Sequence, residues 1–117
     1  MLWLATAGRD RRPHAVPVWF WWDGDSFLVY SVPGQKVRDI EANPKVQLHL
    51  NSDPEGGDVV RIDGLAKIEH DQEPAFKVPP YVRKYRTLIK EYGWTPKVFS
   101  DQYHVPIRIR PTRSHLA

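Results

Sequence analysis

The chain has 117 residues and a mass of 13.6 kDa, which is the size of one domain. Apolar residues make up 41% and charged residues 26%, which argues against a disordered chain. The absence of cysteine excludes disulfides, thiolate metal sites and cysteine nucleophiles. The net charge of +3 permits an anionic partner, but the basic residues are spread along the chain and mostly interleaved with acidic ones, unlike the concentrated basic face of nucleic-acid binders. No apolar run has the roughly 18 residues of a membrane span, and the start lacks the basic region of a signal peptide. We expect a single domain over residues 1–117, in the cytoplasm.

The first part of the chain predicts three strands. Leu2 to Thr6 is a short apolar strand, and His14 to Trp22 is a second strand with apolar side chains on both faces. Asp23 to Asp25 is typical of a hairpin turn and leads into a third strand, Ser26 to Ser31. A barrel strand needs only its inner face apolar, so the outer face of the second strand must be covered by a helix or by another chain. We expect a second copy of the chain to cover it.

A short helix is predicted from Gln35 to Ala42. Val37 and Ile40 share one face, and Asn43-Pro44 ends the helix because the residue before a proline leaves helical geometry. The charged residues of the segment are expected on the solvent side: Lys36, Arg38, Asp39 and Glu41.

Two further strands follow. Lys45 to Leu50 alternates strictly between polar and apolar residues, which predicts a strand with one buried face. Asp53 to Gly57 is a predicted turn, and Asp58 to Glu69 is a long strand in which Gly64 indicates a bulge or bend.

The last third of the chain predicts two helices and a strand. Tyr81 to Tyr92 is amphipathic, and Gly93 suits the position just after a helix. Thr95-Pro96 predicts the start of a second short helix, and His104 to Arg110 closes the chain as a strand. The second helix should carry two residues inward, Val98 and Phe99. Six strands with hairpin signals indicate a mainly β protein built on a small antiparallel barrel.

One segment has the features of an anion site. A strand ends in Ser31, and a turn containing Gly34 opens the helix that carries Lys36 in its first turn. Lysine is unfavourable at a helix start, which indicates a compensating anion; a solvated surface lysine is the alternative. Arg108 and Arg110 share a strand face that is either a second anion site or a solvated surface. The five histidines are too scattered to predict a metal site.

Four ordered motifs run through the chain: Arg12-Pro13-His14-x-Val16-Pro17-Val18-Trp19-Phe20, Tyr30-Ser31-x-Pro33-Gly34-x-Lys36-Val37-Arg38-x-Ile40, Asn43-Pro44-x-Val46-x-Leu48 and Val105-Pro106-Ile107-Arg108-x-Arg110-Pro111. With these motifs the chain resembles the pyridoxamine 5′-phosphate oxidase-like family of split β-barrel flavin and deazaflavin oxidoreductases. The resemblance covers nearly the whole chain, and its end is similar to a subgroup that uses the deazaflavin coenzyme F420.

The resemblance implies a six-stranded split barrel of the FMN-binding type that forms a homodimer with two cofactor sites at the subunit interface. Family members usually have a helix before the first strand, whereas a strand begins almost at Met1 here. We expect either a shortened chain or a start that is assigned too late, and a missing helix would expose part of the site. The cofactor-binding residues carried over are Pro17, Val18 and Trp19 along the ring and Tyr30, Ser31, Gln35, Lys36 and Val37 at the phosphate.

The same resemblance implies an oxidoreductase that transfers hydride between F420, or alternatively FMN, and a small organic substrate. Gln35 occupies a place where flavin-phosphate binders often have arginine, which favours F420 because its phosphodiester carries one negative charge. A cation from the partner copy, Arg61 or Arg108, is the alternative that would restore FMN binding.

No catalytic residue follows from the sequence. Tyr103, His104 and His49 are the candidate proton donors, and nothing in the sequence selects among them. The alternative function is a barrel that holds a flavin, deazaflavin or haem-like ligand for storage or sensing without turnover. A nucleic-acid-binding barrel is disfavoured, because the tryptophans lie among apolar residues instead of alternating with Lys and Arg.

Overall fold

The protein is built on one curled antiparallel sheet. The structure is a computed structural model and describes residues 2–51 and 59–116. The strands follow one another across the sheet in the order β2-β1-β5-β6-β7-β4-β3, and all paired neighbours are antiparallel. Their bounds are β1 Leu2–Ala7, β2 Pro13–Val18, β3 Trp21–Trp22, β4 Phe27–Ser31, β5 Lys45–Asn51, β6 Val59–Ile68 and β7 Val105–Leu116.

Within the described residues, three α-helices accompany the sheet. Helix α1, Gln35–Ala42, connects β4 to β5, whereas α2, Pro79–Glu91, and α3, Pro96–Gln102, lie between β6 and β7 together with a short 3-10 helix, Ala75–Lys77. The mainly β barrel predicted from the sequence is confirmed, including the bounds of α1. The turn predicted over Asp53–Gly57 lies outside the described residues.

The predicted second strand is wrong in one respect, because it is interrupted at Trp19 and Phe20. The two pieces, β2 and β3, lie at opposite edges of the sheet. The two residues between them therefore join the edges and close the curled sheet, and the six predicted strands become seven.

A tyrosine from α2 supplies the hydrogen bonds at this interruption. The Phe20 N–H donates to the Tyr85 hydroxyl at 2.7 Å, and that hydroxyl donates to the Phe20 carbonyl at 2.8 Å. The Lys84 ammonium donates to the same carbonyl at 2.7 Å and lies 3.4 Å from the centre of the Phe20 ring. Burial raises the pKa of Tyr85 to about 12, so the hydroxyl keeps the proton it donates. Tyr85 thus takes the place of a strand neighbour.

Two apolar clusters fill the molecule. One lies inside the curled sheet and the other between the sheet and the two C-terminal helices. Trp19 and Trp21 pack against the second cluster, so the chain's own helices cover this part of the second predicted strand. Ala15 and Pro17, earlier in the same predicted strand, stay exposed, so a second copy that covers this face stays a prediction. The largest fully buried side chains include Leu2, Leu4, Leu48, Ile107 and Ile109 in the first cluster and Leu28, Tyr81 and Ile89 in the second.

Local chemistry decides several element ends as predicted. Gly93 has φ of 75°, which favours glycine, and the Thr95 hydroxyl accepts the Val98 N–H at 3.2 Å as the cap of α3. The register shifts between Asp63 and Gly64, which confirms the predicted bulge. The inward orientation of Val98 is wrong: its exposed fraction is 40%, because the short α3 turns its next two residues toward the core instead.

The Tyr85→Phe substitution should lower the free energy of unfolding by about 1–3 kcal/mol, because it leaves the Phe20 N–H without its partner. Tyr81→Phe is the matched control on the same helix. The Tyr81 hydroxyl faces the backbone of Tyr30 without the geometry of a hydrogen bond, so its loss should change stability little. Urea unfolding of the two variants measures the difference, and equal losses would contradict the role assigned to Tyr85.

Candidate functional site

A pocket of about 320 Å³ opens beside the interruption between β2 and β3. Its volume is within the usual range of small-molecule sites. Five of the residues expected to bind the cofactor line it, together with four aromatic residues from the C-terminal helices and the turn between them. The lining residues are Pro17, Val18, Trp19, Tyr30, Lys36, Tyr92, Trp94, Phe99 and Tyr103.

The barrel provides one wall of this pocket. Pro17 and Val18 end β2, and Trp19 follows where the strand is interrupted. The Trp19 ring stacks on Tyr85 with centroids 4.7 Å apart and an interplanar angle of 5°, and its centroid lies 5.3 Å from that of Phe99. Such stacking holds the indole in one orientation, so the position of this part of the wall is fixed.

The C-terminal helices provide an aromatic second wall. Gly93 ends α2 with two hydrogen bonds, from its own N–H to the Lys90 carbonyl at 2.9 Å and from the Trp94 N–H to the Ile89 carbonyl at 3.0 Å. This turn places Tyr92 and Trp94 on the pocket, stacked 5.2 Å apart. From α3, Phe99 stacks 4.8 Å from the last lining residue, Tyr103.

Sequence reasoning did not predict this wall. The sequence signal that could have predicted it is the pair of aromatic residues, Tyr92 and Trp94, on either side of Gly93 at the end of α2.

Lys36 is the cationic group of the pocket. Its side chain is half-buried, burial lowers the pKa of its ammonium, and it has no hydrogen-bond or ion-pair partner among the residues that the structure describes. Gly34 precedes α1 at the N-cap position and offers no side-chain cap, and the first turn of the helix contains no acidic residue. Its first helical bond is from the Arg38 N–H to the Gly34 carbonyl at 3.1 Å, so the preceding N–H groups lack helical partners. An unpaired cation beside free N–H groups is suited to an anion.

Three of the predicted cofactor residues do not line this pocket. The buried Ser31 hydroxyl donates to the Val32 carbonyl at 2.7 Å. The Gln35 amide donates to Asp39 at 2.7 Å and its oxygen accepts from Arg38 at 3.1 Å, while Val37 is half-buried outside the lining. Roles of these residues toward a phosphate stay predictions.

The solvent-facing position expected for Asp39 is wrong. Its side chain is 2% exposed and forms, with Thr6, His14 and Gln35, what we call the Asp39 cluster. The Thr6 hydroxyl and the His14 Nδ1 lie 2.9 and 3.0 Å from its Oδ2, and the Gln35 amide donates to Oδ1. Burial by itself raises the pKa of this carboxyl, but the hydrogen bonds outweigh it and hold the pKa below the ordinary 3.8.

Arg108 is neither a free cation nor part of a solvated face. Its guanidinium donates to Glu69 at 2.9 Å, to Asp23 at 3.0 Å and to Gln72 at 2.7 Å, and its side chain is 14% exposed. These bonds tie β7 to two turns and leave Arg108 occupied within its own chain.

Of the three candidate proton donors, the structure places Tyr103 at the pocket. His104 is exposed and His49 is half-buried on β5, and neither lines the pocket. Within residues 2–51 and 59–116, no group of three or more potential metal ligands is assembled. No helix in the same ranges has the length and apolar character to cross a membrane.

The curled antiparallel sheet, closed by a two-residue link and flanked by a pocket at the start of α1, defines a split β-barrel protein. Residues 1–115 match the pyridoxamine 5′-phosphate oxidase family, and the chain belongs to that family. This confirms the resemblance drawn from the sequence motifs and, with it, a flavin-binding fold.

Solved structures of several kinds share this fold. An F420 reductase is 28% identical, and the match covers 97% of this chain and 87% of the reductase chain. The two structures superimpose with a TM-score of 0.65. The haem storage protein HutZ of Vibrio cholerae is 20% identical over 99% of this chain and 83% of its own, with a TM-score of 0.66. A FAD-binding protein of Mesorhizobium loti is 23% identical, and the match covers 97% of this chain and 79% of that protein, with a TM-score of 0.67.

A curated relative, an uncharacterized protein of Rhizobium meliloti (strain 1021), is 38% identical over 42 residues. That match spans 36% of this chain and 28% of the relative's length.

The Asp39→Asn variant should be less stable than the natural protein near neutral pH, by about 1.5–3 kcal/mol, the range for hydrogen bonds to a charged group. Because the carboxyl pKa is lowered in the folded protein, its contribution is present above the unfolded value of 3.8 and is lost as the pH falls below it. The stability gap between the two proteins should therefore narrow below that pH. Urea unfolding across the acid range measures the gap, and a constant gap would contradict the lowered pKa.

Proposed function

We propose that this protein is an oxidoreductase that binds F420 in the aromatic pocket and transfers hydride to or from a small organic substrate. The observation that carries the proposal is Lys36, a half-buried and unpaired cation at the start of α1. An anionic cofactor would satisfy both this ammonium and the free N–H groups of the helix.

The charge of the site favours F420 over FMN. Among the described residues that line the pocket, Lys36 is the one cation. The Gln35 side chain is engaged by Asp39 and Arg38, and Arg108 is engaged by carboxylates. One lysine with helix N–H groups matches the single charge of a phosphodiester better than the dianion of FMN.

The chain's own residues would hold the cofactor and shape its surroundings. Its ring would lie along Pro17, Val18 and Trp19, and the aromatic wall would exclude water from it. When bound, the deazaflavin supplies the hydride chemistry, and the protein supplies binding and orientation. Tyr103 is the residue suited to hold or donate a proton at its hydroxyl, since it is the one candidate donor that lines the pocket.

The similarity to an F420 reductase supports this proposal, and the lining of the pocket disfavours the haem-binding alternative. The F420 reductase is 28% identical over nearly the whole chain. A haem iron is commonly held by histidine, and none of the described residues that line the pocket is a histidine. A ligand-storage role without turnover remains the rival function.

We also propose that the active form is a homodimer. Trp3 is 49% exposed on β1, and Ala5 lies on the same face. Their partners in the adjacent strand β2 are Pro17 and Ala15, which are also exposed. An apolar strip of this kind on the outside of a sheet is typical of a protein interface, and Pro17 connects it to the pocket.

Absorbance titrations of the purified protein with F420, FMN and haem in one buffer test the cofactor assignment. We expect F420 to bind most tightly, and Lys36→Ala to weaken that binding roughly tenfold or more, the effect of losing a charged hydrogen bond. Lys97→Ala is the control, because Lys97 pairs with Asp101 on the exposed side of α3. Tighter binding of FMN or haem, or an unchanged affinity of the Lys36 variant, would overturn the assignment. Substrate turnover with bound F420 separates an enzyme from a storage protein.

Light scattering at micromolar concentration tests the dimer. We expect twice the chain mass of 13.6 kDa for the natural sequence, and the single chain mass for Trp3→Glu, because the new carboxylate would be desolvated in the interface. Leu88→Glu on the exposed side of α2 is the control and should leave the mass unchanged. A natural protein of 13.6 kDa in solution would refute the dimer.

A further inference from the structure

Helix α1 cannot fix its own position. It has eight residues, and isolated helices of this length are marginal in water. It has no side-chain cap at its start, no acidic residue in its first turn and no basic residue in its last turn. Its orientation therefore depends on contacts with the barrel.

Only two side chains of α1 are buried, those of Asp39 and Ile40. Ile40 packs in the apolar cluster inside the sheet, and such contacts have no preferred direction. Asp39 instead makes hydrogen bonds, which depend on both distance and angle. The rotation of α1 about its axis is thus set by the carboxylate.

The Asp39 carboxylate joins three parts of the fold. The Thr6 hydroxyl on β1 lies 2.9 Å from the Asp39 Oδ2, and the His14 Nδ1 on β2 lies 3.0 Å from the same oxygen. The Gln35 amide, in the first turn of the same helix as Asp39, donates to the Asp39 Oδ1 at 2.7 Å. Gly8 lies so close that a Cβ there would be 2.7 Å from the Asp39 Oδ1. Any turn or slide of α1 would break several of these contacts at once.

The spacing within α1 links this cluster to the anion site. Gln35 and Asp39 are four residues apart and share one side of the helix, so Asp39 holds the Gln35 side chain on that side. Lys36 and Ile40 are likewise four residues apart and share a different side, toward the barrel, where Lys36 lines the pocket.

We propose that Asp39 is the positioning residue of the anion site, and that the Asp39 cluster orients α1 so that Lys36 faces the pocket. The inference rests on the proposed function, because it concerns the binding of the cofactor's phosphate. Asp39 acts through α1 and does not itself touch the cofactor.

Two variants weaken the cluster, and two serve as comparisons. Asp39→Asn removes the charge, and Thr6→Val removes one donor at nearly the same volume, while Thr6→Ser keeps that donor. Ser26→Ala is the matched control: it also deletes a buried hydroxyl that donates to a carboxylate, at 3.2 Å to Asp23, but in the β3–β4 turn.

Two measurements keep this inference separate from the proposed function. Hydrogen–deuterium exchange of residues 35–42 in the cofactor-free protein reports the order of α1, and absorbance titration reports the affinity for F420. We expect Asp39→Asn and Thr6→Val to speed exchange in α1 and to weaken F420 binding roughly tenfold, whereas Thr6→Ser and Ser26→Ala retain the natural values.

Unchanged exchange in α1, or faster exchange with unchanged F420 affinity, would overturn the role of Asp39. Equal loss of affinity in Ser26→Ala would overturn it as well, since the effect would then follow general stability. If the natural protein binds no F420, the proposed function fails, and exchange in α1 alone decides whether Asp39 holds the helix.

Discussion

The closure of the barrel depends on one tyrosine hydroxyl. Where the sheet edges meet, Trp19 and Phe20 have left the strand ladder, and the backbone of Phe20 must find other partners because unpaired polar groups are costly in a folded protein. The Tyr85 hydroxyl both accepts from its N–H and donates to its carbonyl. A side chain with a donor and an acceptor on a single atom can replace a strand neighbour in this way, which an aliphatic or phenylalanine side chain cannot do.

The same helix that closes the barrel also shapes the pocket. Trp19 stacks on the Tyr85 ring, and the end of α2 places Tyr92 and Trp94 on the second wall of the pocket. The two walls are therefore connected through one rigid element. The stability of the fold and the shape of the pocket are therefore coupled, because a shift of α2 would open the seam of the sheet and displace both aromatic walls together.

Local patterns in the sequence predict the elements of this fold better than the contacts between them. The turn at Gly93 and the cap at Thr95 follow from backbone conformation and from one short-range hydrogen bond, so neighbouring residues suffice to predict them. The burial of Asp39 depends on Thr6, 33 positions away, and the broken strand depends on Tyr85, 65 positions from Phe20. The helical pattern around Asp39 is that of a solvated face, and no local signal marks the carboxylate as buried.

The aromatic walls also give the molecule an optical property. Two of its five tryptophans, Trp19 and Trp94, line the pocket, while Trp3 and Trp22 are exposed on the surface. Indole emission depends on the surroundings of the ring, so a conjugated ligand in the pocket would quench the tryptophans, and most strongly Trp19 and Trp94. The protein thus contains an intrinsic fluorescent reporter of its own occupancy, and small molecules can be screened against it without a label and before any substrate is identified.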